Sequence, residues 1–361
     1  MKATQVLTNL GQSIWLDNIT RDLLNTGTLQ RYIDDLAVTG LTSNPTIFDH
    51  AIKNSGTYDP AIAALLQSGQ SGEELFFELA LDDLTRAADQ FRPIHDKTNG
   101  VDGWVSLEVS PLLAYDTKST IAAAKALHAQ GGKPNLFIKI PGTPEGLPAI
   151  EESIFNGVPI NVTLLFAREH YIPAAEAYIR GLERRLEAKL PLEVGSVASV
   201  FISRWDKAVM GKTPPDLRDE LGIAIARRTY RSYRELLGSP RWARLANAGA
   251  RPQRLLWAST GTKDPEASDV LYIENLAAPN TVNTMPEETL KAFAEHGEIK
   301  HLMARDGSDA DHMLERFAKA GIDHEALATQ LQKEGAEAFV KSWKELLGVI
   351  TTKTEALKKA G

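Results

Sequence analysis

The chain has 361 residues, 43% hydrophobic and 24% charged, an ordinary globular balance with ample apolar material for one large core. A formal net charge of −7 with no long Lys/Arg run argues against nucleic acid or an anionic membrane as partner, while the lack of cysteine excludes disulfides, thiolate metal sites and a cysteine nucleophile. No apolar run approaches the roughly 18 residues of a membrane span, and the first residues lack a signal-peptide pattern, so a cytoplasmic setting is expected.

In chain order the first predicted strand covers 13–18, followed by a helix over 28–38 and a second strand over 39–44. A long helix-rich connection, about 54–91, leads to the third strand at 103–110 and a helix over 117–129. Strands at 136–141, 159–165 and 195–204 alternate with helices over 143–155, 167–189 and 215–237; the last two strands are predicted at 254–260 and 270–276. These strands are rich in β-branched and large apolar residues and bounded by Gly, Pro, Asn or Asp. Ser71 and Thr117 are the predicted caps of their helices, and 278–361 reads as a helical extension whose final stretch, 324–357, forms one helix or two. Alternation of strand and helix implies a parallel sheet, and eight strands imply a single α/β domain over 1–361 closed as a (β/α)8 TIM-type barrel. A doubly wound open sheet is the competing architecture.

A strand buried on both faces should read as continuously apolar, and side chains alternate faces with period two. Several strands break the apolar rule on one side only. Trp15 and Asp17 share a face, as do Ser106, Glu108 and Ser110; Phe137 and Lys139; Asn161, Thr163 and Leu165; and Ser199, Phe201 and Ser203. An Asp, a Glu and a Lys in one barrel interior are either a structural ion network or an active site, since isolated buried charges are costly. Their position near the C-terminal ends of strands favours the active site. A lysine among apolar neighbours suits Schiff-base formation, with two carboxylates and a threonine hydroxyl as proton carriers.

Three segments extend this reading. Leu41-Thr42-Ser43-Asn44-Pro45-Thr46, Leu136-Phe137-Ile138-Lys139-Ile140-Pro141 and Ile160-Asn161-Val162-Thr163-Leu164-Leu165-Phe166 resemble, in order and spacing, the signature segments of transaldolases, in particular a longer bacterial-type branch. The resemblance implies Lys139 as the Schiff-base nucleophile and Asp17 as the acid/base at the bond being broken. It implies that Glu108 works through a water with Thr163, and that Asn44 and Asn161 hold the donor's hydroxyls. Phosphate binding would fall to Ser199 and Arg204, with Phe201 between them, and to Ser259 and Lys263, the lysine standing where better-known members carry a second arginine. Lysine offers a point charge rather than a bidentate fork.

The implied reaction moves a dihydroxyacetone unit from sedoheptulose 7-phosphate to glyceraldehyde 3-phosphate, giving erythrose 4-phosphate and fructose 6-phosphate in the pentose phosphate pathway. No metal or organic cofactor is implied, the partners are sugar-phosphate substrates, and the assembly expected is a monomer or homodimer. A related class I aldolase that releases free ketone, such as fructose-6-phosphate aldolase, and a non-catalytic sugar-phosphate-binding barrel are the alternatives. Phe339 and Trp343, four residues apart, mark either a packing face over the active-site mouth or ordinary helix packing. Arg227, Arg228, Arg231 and Arg234 read as a solvated helix face or a subunit contact.

Overall fold

The computed structural model describes residues 1–360. Eight parallel strands close in sequence order: β1 (Gln12–Leu16), β2 (Val38–Leu41), β3 (Val105–Glu108), β4 (Leu136–Pro141), β5 (Ile160–Leu165), β6 (Ser196–Phe201), β7 (Arg254–Ala258) and β8 (Thr281–Met285), the last pairing back onto β1. The architecture is therefore a (β/α)8 barrel and not an open sheet.

Period-two alternation divides each strand between two cores. Ile14, Leu16, Val105, Leu107, Ile138 and Ile140 face outward into the layer shared with the helices. Trp15, Phe137, Val197, Leu256 and Val282 belong to the interior cluster. At the N-terminal end that interior is filled with rings: Trp104 stacks on Phe137 at 4.0 Å, and Trp15 lies 6.2 Å from the same ring. Gly40 is needed there, because a Cβ at that position would stand 2.7 Å from both the Trp15 indole nitrogen and the Trp104 carbonyl. The Trp15 indole N–H donates to Asp102, and the buried Arg254 donates to Ser13 Oγ and the Val101 carbonyl, so this end is also held by satisfied polar groups.

Four elements differ from the sequence reading. The eighth strand is Thr281–Met285, whereas most of 270–276 is the helix Leu271–Asn275. A short apolar run reads the same in a buried helical turn as in a strand. The true β8 was hidden by its polar residues Thr281, Asn283 and Thr284, all of them buried. The segment after residue 278 thus begins with a barrel strand and only then becomes helical.

Secondly, β6 ends at Phe201, and Arg204 belongs to a helix, Ser203–Val209. Thirdly, the alternation in β5 breaks: the pairing with β6 shifts between Val162 and Leu165, and Leu164 takes a left-handed backbone with φ of 58°. This bulge sends Leu164 into the interior cluster and Leu165 into the outer one, the reverse of strict alternation. Fourthly, the helix Thr117–Gly131 is capped by Asp116, whose carboxylate accepts from Ser119 N, rather than by Thr117; Ser71 does stand at the N-cap of the helix Gly72–Lys97, without a side-chain cap bond.

The C-terminal helix, His324–Ala360, is a single element of 37 residues. It crosses the C-terminal ends of the strands. Gln332 Nε2 donates to the carbonyls of Gly142 and Leu164, and Thr46 donates to Ser342. The arginine face of the helix Leu221–Leu237 is not left to solvent: Arg227 and Arg231 pair with Asp309 and Asp311, and Arg228 with Glu169.

Candidate active site

The open end of the barrel encloses a cavity of about 260 Å³. Its wall includes Asp17, Asn44, Lys139, Thr163, Arg204 and Lys263, drawn from strand ends and the segments that follow them. Lys139 is 5% exposed, and its Nζ donates to the Ser43 carbonyl at 2.9 Å. The β3–β4 register sets Glu108 directly beside it, with Oε2 3.1 Å from Nζ, close enough to pair by charge. Glu108 Oε1 has no partner among the described residues, nor does Thr163 Oγ1. Two buried oxygens are thus left free for water or substrate.

Asp17 follows the last residue of β1, with its amide donating to the Met285 carbonyl. Its Oδ1 accepts from Thr42 Oγ1 at 2.8 Å, and that hydroxyl also lies 2.8 Å from Thr284 Oγ1. Burial pushes the Asp17 carboxyl above its ordinary range, against the Lys139 charge, the Thr42 hydroxyl and the Lys263 charge. Burial likewise raises Glu108, opposed by Lys139 and reinforced by the Asp17 charge.

If both carboxylates work as bases, turnover is full above their raised values and falls as pH drops through them. The acid limb of kcat/KM should therefore lie above the ordinary carboxylate region, about pH 4. A limb at that ordinary position, or one that neither Asp17→Asn nor Glu108→Gln alters, would count against their titration.

The far side of the cavity is cationic. Arg204 makes no ion pair among the described residues; its guanidinium lies 5.1 Å from the Phe201 ring centre and 5.9 Å from that of Phe339. Burial holds it below the usual guanidinium range. Gly335 on the C-terminal helix lies close by: a Cβ there would stand 3.0 Å from a Leu164 methyl and 3.1 Å from Arg204 Nη1. Asp206, two residues on, accepts from Leu221 N, Gly222 N and the Tyr272 hydroxyl, anchoring the short helix that carries Arg204. Lys263 stands at the rim, lowered first by partial burial and then by Lys207 and Arg204. Ser259, with φ of 55°, has its hydroxyl 2.8 Å from that of Ser203.

A lysine, an Asp17 carboxyl raised by burial and an unpaired arginine on one cavity wall, with Glu108 beside the lysine but off that wall, fit imine chemistry on an anionic substrate. A family model described as transaldolase/fructose-6-phosphate aldolase matches residues 14–350. The chain belongs to this family. A relative called transaldolase from Acidothermus cellulolyticus is 45% identical over 98% of this chain and 97% of its own length. One of the same name from Thermobifida fusca is 45% identical over 95% of this chain and 96% of its own length. A relative called transaldolase 2 from Nostoc punctiforme is 39% identical over 96% of each. Membership makes the chain a transferase of the transaldolase class.

Most residues singled out in the sequence meet at the cavity, but Glu108 and Asn161 are not on its wall, and Asn44 has a second duty there. Asn161 is fully buried behind the wall and uses both polar atoms internally, donating to Ser106 Oγ at 3.1 Å and accepting from Ser199 Oγ at 2.7 Å. Asn44 is on the wall but also caps the helix Pro45–Asn54, its Oδ1 accepting from Ile47 N. The sequence reading missed Thr42, Thr284 and Lys207. Thr42 sits inside the segment that contains Asn44, Thr284 lies on the misplaced strand, and Lys207 lies three residues beyond Arg204, where the predicted strand ended.

Proposed function

We propose that this chain transfers a dihydroxyacetone unit between sugar phosphates through a Schiff base on Lys139. The observation that carries this reading is the placing of Lys139 Nζ between the Ser43 carbonyl and Glu108, on a cavity wall that also bears Asp17. The neutral amine attacks the C2 carbonyl of the ketose, and loss of water leaves an iminium, with Glu108 and Thr163 managing that water and its protons. Asp17 takes the C4 hydroxyl proton. The C3–C4 bond then breaks, its electron pair flows into the iminium as an enamine, and the shortened aldehyde leaves. The enamine attacks the acceptor aldehyde, Asp17 returns the proton, and water releases the new ketose.

Asn44 is assigned to the donor hydroxyls. Asn161, with both polar atoms engaged, is assigned to holding Ser199 in place. Arg204 and Lys263 take the phosphate. With a phosphorylated donor, Arg204→Ala should raise KM about 10- to 100-fold, the scale of a charge-assisted hydrogen bond, and Lys263→Ala only about 3- to 10-fold. Steady-state kinetics on fructose 6-phosphate read both, and a KM unchanged in both variants would remove the phosphate from this wall.

Transfer is tested against simple aldol cleavage by supplying fructose 6-phosphate with and without erythrose 4-phosphate. Sedoheptulose 7-phosphate should form only with acceptor present, with little free dihydroxyacetone. Release of free dihydroxyacetone at the same rate without acceptor would make the enzyme an aldolase.

A further inference from the structure

Glu108 is not on the wall of the large cavity but lines a second, much smaller one of about 10 Å³, together with Ser43, Phe48, Phe76 and Trp343. A space of that size holds about one water and nothing larger. Trp343 reaches it from the C-terminal helix and is 1% exposed, fixed edge-on to Phe76 at 5.0 Å and packed on Phe77 at 5.7 Å. Its indole nitrogen is buried with no partner among the described residues, and so is Oε1 of the Glu108 carboxylate, while Oε2 lies 3.1 Å from Lys139 Nζ. One wall therefore offers a donor without an acceptor, and another an acceptor without a donor. Buried polar groups are rarely left unpaired, and a small polar cavity between such groups is where a structural water resides.

We propose that one buried water accepts from Trp343 Nε1–H and donates to the Glu108 carboxylate, making Trp343 a positioning residue for that carboxylate. This water is separate from the one expected between Glu108 and Thr163, because Thr163 does not line the small cavity. The inference rests on the proposed role of Glu108. The charged groups facing Glu108 are Lys139 from β4 and Asp17 at the end of β1. The helices Pro45–Asn54, Gly72–Lys97 and His324–Ala360 present Phe48, Phe76 and Trp343 to the small cavity, none of which titrates. The bridge would be the route by which docking of the C-terminal helix reaches the acid/base group. A purely structural Trp343 would affect stability alone.

The test uses the full chain with Trp343→Phe, and with 3-benzothienyl-L-alanine at position 343, which keeps the indole's shape but has no N–H. Loss of a donor to a carboxylate disfavours the ionised form. The acid limb of kcat/KM should therefore move up by about half a unit to one unit, the worth of one ordinary hydrogen bond. KM for fructose 6-phosphate should stay at the parent value, because Trp343 is absent from the large cavity's wall. In a Glu108→Gln background the same replacements should no longer shift the limb. If Glu108→Gln cripples turnover while the benzothienyl protein keeps the parent limb, the water bridge is overturned and the role of Glu108 stands. If Glu108→Gln turns over at the parent rate, the reading of Glu108 itself fails, and the bridge with it.

Discussion

Lys139→Met should reduce transfer by roughly 10⁴-fold or more, the scale expected when the nucleophile of a cooperating set is removed. Methionine keeps the length and apolar stem of lysine and removes only the amine. The same substitution strips Glu108 of the cation 3.1 Å away, so burial acts unopposed on that carboxyl and drives it towards the neutral form. Two losses therefore coincide: no imine forms, and its proton carrier is in the wrong state. Parent protein mixed with fructose 6-phosphate and borohydride should carry a reduced three-carbon adduct on Lys139, and the variant none, by peptide mass spectrometry. Turnover within about tenfold of the parent would sink the lysine mechanism, since no covalent pathway tolerates loss of its nucleophile so lightly.

Asp17→Asn should cost about 10²- to 10⁴-fold, the range for loss of a general base. The amide oxygen can still accept from Thr42, so the Thr42–Thr284 hydroxyl pair keeps its arrangement and the cavity its shape. Imine formation depends on Lys139 and Glu108 and should survive, whereas removal of the C4 hydroxyl proton should not. Borohydride trapping with fructose 6-phosphate should then capture the uncleaved six-carbon sugar phosphate on Lys139 instead of the three-carbon fragment. A three-carbon adduct formed at the parent rate would show that another group breaks the bond.

Both expectations rest on residues legible in the sequence for one physical reason. Asp17, Glu108, Lys139 and Thr163 are polar side chains at inward positions of strands that are otherwise apolar, a pattern that is costly unless it is used or paired. What escaped detection lacked that contrast. The strand Thr281–Met285 is as polar as a loop, so neither its closure onto β1 nor Thr284 stood out. The bulge at Leu164 is a backbone event that no hydrophobic pattern encodes. Asn161 reads identically whether it meets a ligand or two serines, because only distances separate the cases. Phe339 and Trp343 share a helix face by spacing, yet one packs in the interior cluster and lines the large cavity while the other joins the outer core. Periodicity can mark a face but cannot name what lies beneath it.

The C-terminal helix has a consequence for the order in which the enzyme becomes one. At 37 residues and about 1.5 Å per residue it spans roughly 55 Å. It supplies Phe339 to the cavity wall, Gly335 beside Arg204 and Trp343 beside Glu108. These residues leave the ribosome after every strand of the barrel has been made. A nascent chain can thus close β8 onto β1 and bring Lys139, Glu108 and Asp17 together while its mouth is still unwalled. On this chain the cavity floor is assembled first and its enclosure last, so a stalled ribosome would display Lys139 to solvent without the wall that surrounds it in the finished protein.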